Sequence, residues 1–222
     1  MKSKFFSLVV AASLLITSAL KTQAADFDVS NLTETIQGAE TISGSNVTKQ
    51  IAQKFNTGSF ATPTSVWLVQ LYLSSFGNYN LANLSVQIFT DASATPGTSV
   101  GSFSATGSLT TGGIYNFTNI ASPVALAANT NYWVVIKNSV VGSGANNINW
   151  AYGDSSTPTP GINGVMSTIS SVNNTGSSWT TFTTTPQLVR LTNVPEPSTY
   201  ALGTICALSM GYIARRRKTV AA

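Results

Sequence analysis

The chain has 222 residues, only 8% of them charged, with 11 Lys and Arg against 7 Asp and Glu for a formal charge of +4. It contains no histidine and a single cysteine, Cys206, which excludes Ser-His-Asp and Cys-His catalysis, histidine-based zinc sites and any intrachain disulfide. The basic excess sits at the two ends. Residues 26–194 keep Lys49, Lys54, Lys137 and Arg190 against Asp26, Asp28, Glu34, Glu40, Asp91 and Asp154, a net of −2. The charge is therefore no nucleic-acid footprint, which needs basic residues clustered on the folded body.

Lys2 and Lys4 precede an apolar run from Phe5 to Leu20, followed by Lys21-Thr-Gln-Ala-Ala25. A basic start, an apolar centre and small residues at the cut make residues 1–25 a signal peptide, a signal helix removed after Ala24 or after Ala25.

From 26 to 193 the composition is rich in Ser, Thr and Asn, yet Val, Ile, Phe, Tyr and Trp recur in short runs. That recurrence argues for a folded body rather than disorder. Residues 26–40 form an N-terminal extension or a first edge strand. Residues 49–55 alternate, with Ile51, Gln53 and Phe55 on one face. Residues 64–73 place Trp67, Val69, Leu71 and Leu73 together, so Trp67 is assigned to the core. Leu84, Val86 and Ile88 face inward from residues 84–90, and Asp91–Gly97, ending in Pro-Gly, is a turn. Further strands are predicted at 98–105, 113–119, 131–137, 147–152 and 186–191, with Trp133 in the core. Gly153–Gly161 and Ser170–Ser178 are read as long surface loops. No sustained 3.6-residue period appears. The predicted fold is an all-β, antiparallel β-sandwich, jelly-roll-like, forming one domain.

The chain ends with Val194-Pro195-Glu196-Pro197, an apolar run from Tyr200 to Ala214, and Arg215, Arg216, Arg217 and Lys218. The prolines exclude a helix before Ser198, which is a good N-cap. A helix over 199–217 is roughly 28 Å long, barely enough for a ~30 Å hydrocarbon core with the arginines snorkelling. Residues 194–222 thus carry a single transmembrane helix of marginal length. Basic flanks at both outer ends keep both ends cytoplasmic and put everything between them outside.

Pro-Glu-Pro, a short apolar helix and a terminal arginine cluster, in that order, resemble the PEP-CTERM sorting signal of exopolysaccharide-producing Gram-negative bacteria. The resemblance implies recognition of Pro195, Glu196 and Pro197 by an exosortase, a membrane-embedded cysteine transpeptidase that removes the tail. Arg215–Lys218 then act as stop-transfer charge. A second likeness runs through Gln53-Lys-Phe-Asn-Thr-Gly58, Val86-Gln-Ile-Phe-Thr-Asp91, Pro96-Gly97, Leu126 and Asn131-Tyr-Trp-Val-Val135. These residues are similar to the choice-of-anchor R domain. That likeness implies a β-sandwich, surface display and no established activity.

The expected protein is therefore a non-enzymatic one with no cofactor. It is exported, held briefly in the inner membrane, processed by exosortase, and then associated with the cell surface and the exopolysaccharide matrix. The alternative is a carbohydrate-binding module. Trp150 and Tyr152, at i and i+2, and Trp179 in a polar segment offer rings to stack on sugars, against the reading that they fill or cap the core. Asp91 and Asp154 are the acids placed to serve a hydrolase pair or a structural calcium, although no calcium loop of alternating acids is present. No other metal site is expected.

Overall fold

The computed structural model describes residues 27–42, 49–59, 64–75, 78–119, 121–138, 148–155, 157–173 and 178–193. These residues form antiparallel strands with one short 3-10 turn, Leu81–Asn83. No helix among them is long and apolar enough to cross a membrane; the predicted signal helix and the predicted transmembrane helix lie outside the described residues.

Two large sheets carry the body. The first has seven strands. Its order is β14 (Thr159–Gly161), β15 (Gly164–Asn173), β3 (Gln50–Thr57), β12 (Asn131–Asn138), β7 (Leu84–Asp91) and β8 (Pro96–Phe103), with β16 (Thr180–Phe182) also on β15. The second is built on β5 (Leu68–Ser75). One edge of β5 pairs with β10 (Gly113–Thr118). Its other edge is shared end to end by β17 (Val189–Thr192), opposite residues 68–71, and β13 (Ile148–Tyr152), opposite residues 73–75. These two are flanked in turn by β1 (Asp28–Ser30) and β2 (Gly38–Ile42). Two small sheets complete the fold, β4 (Thr64–Val66) with β11 (Val124–Leu126), and β6 (Tyr79–Asn80) with β9 (Ser108–Leu109).

Period-two patterning explains the packing, since every second side chain along a strand turns to the same face. Val69, Leu71 and Leu73 from β5, Trp150 from β13 and Val189 and Leu191 from β17 meet Ile51 and Phe55 from β3, Val86 and Ile88 from β7, and Val134 and Ile136 from β12 in one buried cluster. Both sheets therefore share a single interior. Burying each Val, Leu or Ile there contributes about 1.5–3 kcal/mol relative to exposure.

Several expectations shift. Trp67 is half-exposed and lies outside any strand. The run 64–73 divides between two sheets, so the buried set is Thr64 and Val66, then Val69, Leu71 and Leu73. The inward phase slips by one residue at Trp67–Leu68, where the chain crosses from β4 to β5 and the Trp67 carbonyl accepts from Asn119 N at 2.9 Å. Pro96 and Gly97 open β8 instead of ending a turn. The reversal is at Ser93 and Ala94, both with positive φ (55° and 69°), closed by hydrogen bonds between Ala92 and Thr95. That is the primed-turn geometry whose twist suits a two-residue hairpin. Residues 170–173, predicted as loop, belong to β15 and are buried, and Thr159–Gly161 form β14. Residues 28–30 are an edge strand, the second of the two readings for 26–40.

At the end of β5 away from the chain termini, the Tyr79 hydroxyl is buried and donates to Asn138 Oδ1 at 2.7 Å. Burial pushes its pKa from 10.0 up to about 12. The neutral phenol is thus favoured in the fold. Its contribution is complete below pH 10 and is lost as pH rises through 10 towards 12, at roughly 1.4 kcal/mol per pH unit. Urea unfolding between pH 9 and 12 should therefore show a steeper alkaline loss in the natural chain than in Tyr79→Phe; identical slopes would contradict the assignment.

Candidate functional site

Pro195, Glu196, Pro197, Arg215, Arg216, Arg217 and Lys218 lie outside the described residues, as do residues 1–26. The strand body nevertheless shows how both flanks are mounted. Phe27 N donates to Asn193 Oδ1 at 2.6 Å, and Asn193 N donates to the Phe27 carbonyl at 3.0 Å. β1 and β17 continue this pairing, with Asp28 opposite Thr192 and Ser30 opposite Arg190. Asn31 extends it, its buried amide taking Val189 N and giving to the Gln187 carbonyl, like one more strand residue. The chain therefore enters and leaves the body at one point.

The three aromatics proposed for glycan stacking are not brought together. Trp150 is fully buried between the sheets, and its indole N–H donates to the Leu188 carbonyl at 2.9 Å. It presents no face to a sugar. Its apolar neighbours on both sheets demand a large side chain there, and the core reading of Trp150 is the correct one. Tyr152 is half-buried opposite Gly38. A β-carbon at Gly38 would strike the Tyr152 hydroxyl, so this ring covers a cross-strand glycine. Trp179 belongs to the other sheet. It is half-buried and packs with Phe89 and Ile169 around Ala52, Trp133 and Val135.

That second cluster lies on the outer face of the seven-stranded sheet. Along β12, Tyr132, Val134 and Ile136 point inward, so Trp133 and Val135 point the other way. Trp133 is completely buried all the same, beneath Lys54, whose ammonium stands 5.5 Å from the ring centroid. Its indole N–H donates to Asp91 Oδ1 at 2.6 Å, and Lys54 pairs with the same carboxylate at 3.3 Å. Asp91 is thus a structural acceptor with its charge matched. Asp154 is exposed after β13, in the other sheet. No cluster of three or more potential metal-binding His, Cys, Asp or Glu occurs among the described residues. The two aspartates proposed for a hydrolase pair or a calcium site are not assembled into either.

An unanticipated feature is a cleft of about 370 Å³ beside β10. Ser104 and Thr118 exchange both backbone hydrogen bonds (3.1 and 2.8 Å), and from there the two chain segments diverge. The opening is lined below by Leu81, Ala105 and Tyr115, and at the rim by Ser104, Thr106, Ile114, Asn116 and Thr118. Backbone groups at i and i−2 of a strand point to the same edge. Those of Asn116 and Ile114 therefore face the cleft as Thr118 does, on the edge of β10 away from β5, where no described strand pairs. The sequence signal for the site is Ile114, an aliphatic residue on the polar face of an alternating strand, 52% exposed.

No protein-family model and no curated protein matches this chain. Among solved structures, that of infectious bursal disease virus Gx strain aligns with 80% of this chain and 42% of its own, at 16% identity and a TM-score of 0.21, too low to carry any argument.

Proposed function

We propose that this chain is an exported, non-enzymatic surface protein. In this reading residues 26–193 are a jelly-roll-like β-sandwich similar to the choice-of-anchor R domain, and residues 194–222 are a PEP-CTERM signal handed to an exosortase. The observation that carries the reading is the mutual hydrogen bonding of Phe27 and Asn193. A body whose ends emerge side by side can be threaded out by its leader and held by its tail at one membrane without distortion. Signal cleavage after Ala24 or Ala25 leaves Phe27 and its bonds intact. Tail removal beyond Asn193 likewise spares every described strand. The body can then be released whole to the cell surface and the exopolysaccharide matrix, after a transient stay in the inner membrane.

The reading predicts a difference between two strains, one with the exosortase and one without. With it, intact-mass measurement should find a C-terminus lacking Arg215–Lys218 on protein outside the cell. Without it, the full tail should remain in the inner-membrane fraction. The same C-terminus and location in both strains overturns the proposal.

The second reading, carbohydrate binding, is favoured by one observation: the polar-rimmed cleft beside β10.

A further inference from the structure

We propose that the cleft between β10 and Ser104–Thr106 binds a neutral sugar unit of a polysaccharide. This deepens the carbohydrate-binding reading by moving the site away from Trp150, Tyr152 and Trp179. It rests on the export reading only for the source of the sugar, the matrix outside the cell. At about 370 Å³ the space falls within the range of small-molecule sites, ~300–1,000 Å³.

Its chemistry is divided as a sugar ring is divided. The floor offers Leu81 and Tyr115, while the rim offers hydroxyls from Ser104 and Thr106 and the Asn116 amide. Apolar C–H groups pack on the first, and hydroxyl groups bond to the second. No carboxylate, ammonium or guanidinium lines the cleft, so a charged ligand would lose water without gaining a counter-charge.

Two side chains are already oriented. Asn116 Oδ1 accepts from Gln70 Nε2 at 2.8 Å, which turns the Asn116 NH2 away as a donor. The Tyr115 hydroxyl donates to the Thr111 carbonyl at 2.8 Å, which holds its ring in the floor. The edge groups of Ile114 and Asn116 add backbone donors and acceptors that a hydroxyl-rich ligand satisfies. An added peptide strand would use the same edge, but its path is blocked where Ser104 and Thr118 already bond to each other. A blind-ended space suits a compact ring better than a continuous strand.

The test uses the full chain in detergent on an array of short neutral oligosaccharides, with uronic-acid and sulfated sugars and an extended peptide for comparison. Calorimetry follows on the best neutral binder. Asn116→Ala should weaken that binding by about tenfold, the worth of one good hydrogen bond. Thr106→Trp, at an exposed position, should fill the cleft and abolish binding, whereas Trp179→Ala should change nothing. Unaltered thermal unfolding of the variants establishes that the fold is intact. The proposal is overturned if no neutral sugar binds, if the acidic sugars or the peptide bind in its place, or if binding survives both cleft substitutions. It is likewise overturned if Trp179→Ala alone removes binding. The array does not read C-terminal mass or cell location, so its failure leaves the export reading standing, and the strain comparison leaves this one untouched.

Discussion

Trp150→Ala should lower the unfolding free energy by about 3–5 kcal/mol, the usual cost of replacing a buried tryptophan with alanine. Trp150 is fully enclosed by residues of both sheets, and neither sheet can close over the gap without breaking its pairing with its neighbours. The hydrogen bond to the Leu188 carbonyl is lost as well, leaving that carbonyl only its longer bond from Tyr72 N at 3.3 Å. Trp150→Phe divides the loss, since it keeps one ring in the space while removing the indole N–H and the volume of the second ring. It should cost about 1–3 kcal/mol, from the lost hydrogen bond and the smaller cavity together. Equilibrium urea unfolding of the three proteins gives both values. A loss below about 1 kcal/mol in the alanine variant would mean that the side chain is not sealed inside, and would return it to the candidates for ligand stacking.

The contrast between Trp150 and Trp133 shows what the residue pattern can and cannot disclose. Alternation correctly places Leu84, Val86 and Ile88 inward, because one strand face is apolar and the other is not. In β12 five consecutive residues, Tyr132 to Ile136, are buried, and period alone cannot say which face is the interior. Trp133 is buried, but on the outer face, where Lys54 and Asp91 on adjacent strands cover it and hold its N–H. That arrangement depends on register across three strands, with Lys54 and Phe89 both opposite Trp133. No local spacing in the sequence encodes such a register. The phase slip at Trp67 is hidden for the same reason, since it follows from a change of sheet and not from any turn residue. The cleft beside β10 is illegible in the sequence because its two walls come from separate segments, joined through Ser104 and Thr118 and through Asn119 and Ser102.

The pairing of the body's ends is likewise long-range. Phe27 and Asn193 are joined across nearly the whole strand region, and a contact of that separation carries a loop-closure entropy cost. A body closed in this way is complete only when its last strand has been delivered. In the export reading proposed above, β17 precedes the apolar tail, so closure would follow translocation directly.

Gln53→Leu should destabilise the protein by about 2–5 kcal/mol, although it puts an apolar side chain of nearly equal volume into an apolar interior. Gln53 shares a strand face with Ile51 and Phe55 and is completely buried. Its amide nitrogen donates to the Ser167 carbonyl at 2.6 Å and the Lys54 carbonyl at 2.9 Å, and its oxygen accepts from Gln187 N at 2.7 Å. The first of these bonds satisfies the bulge in β15, where Ser167–Ile169 stand opposite Lys54 without regular pairing. The last reaches the approach to β17 in the other sheet. Leucine fills the volume but abandons the buried Gln187 N–H and the half-buried Ser167 carbonyl, at about 1–3 kcal/mol for a buried group left unpaired and less for the partly exposed one. Gln53→Glu tests the same bonds from the other side: its oxygens can still accept from Gln187 N, but an ionised carboxylate has nothing to offer the two carbonyls. It should therefore be at least as harmful as leucine at neutral pH, and partly relieved at acid pH, where the protonated acid regains a donor. If Gln53→Leu unfolds at the same urea concentration as the natural chain, the polar tie between the sheets is dispensable and apolar packing alone holds them together.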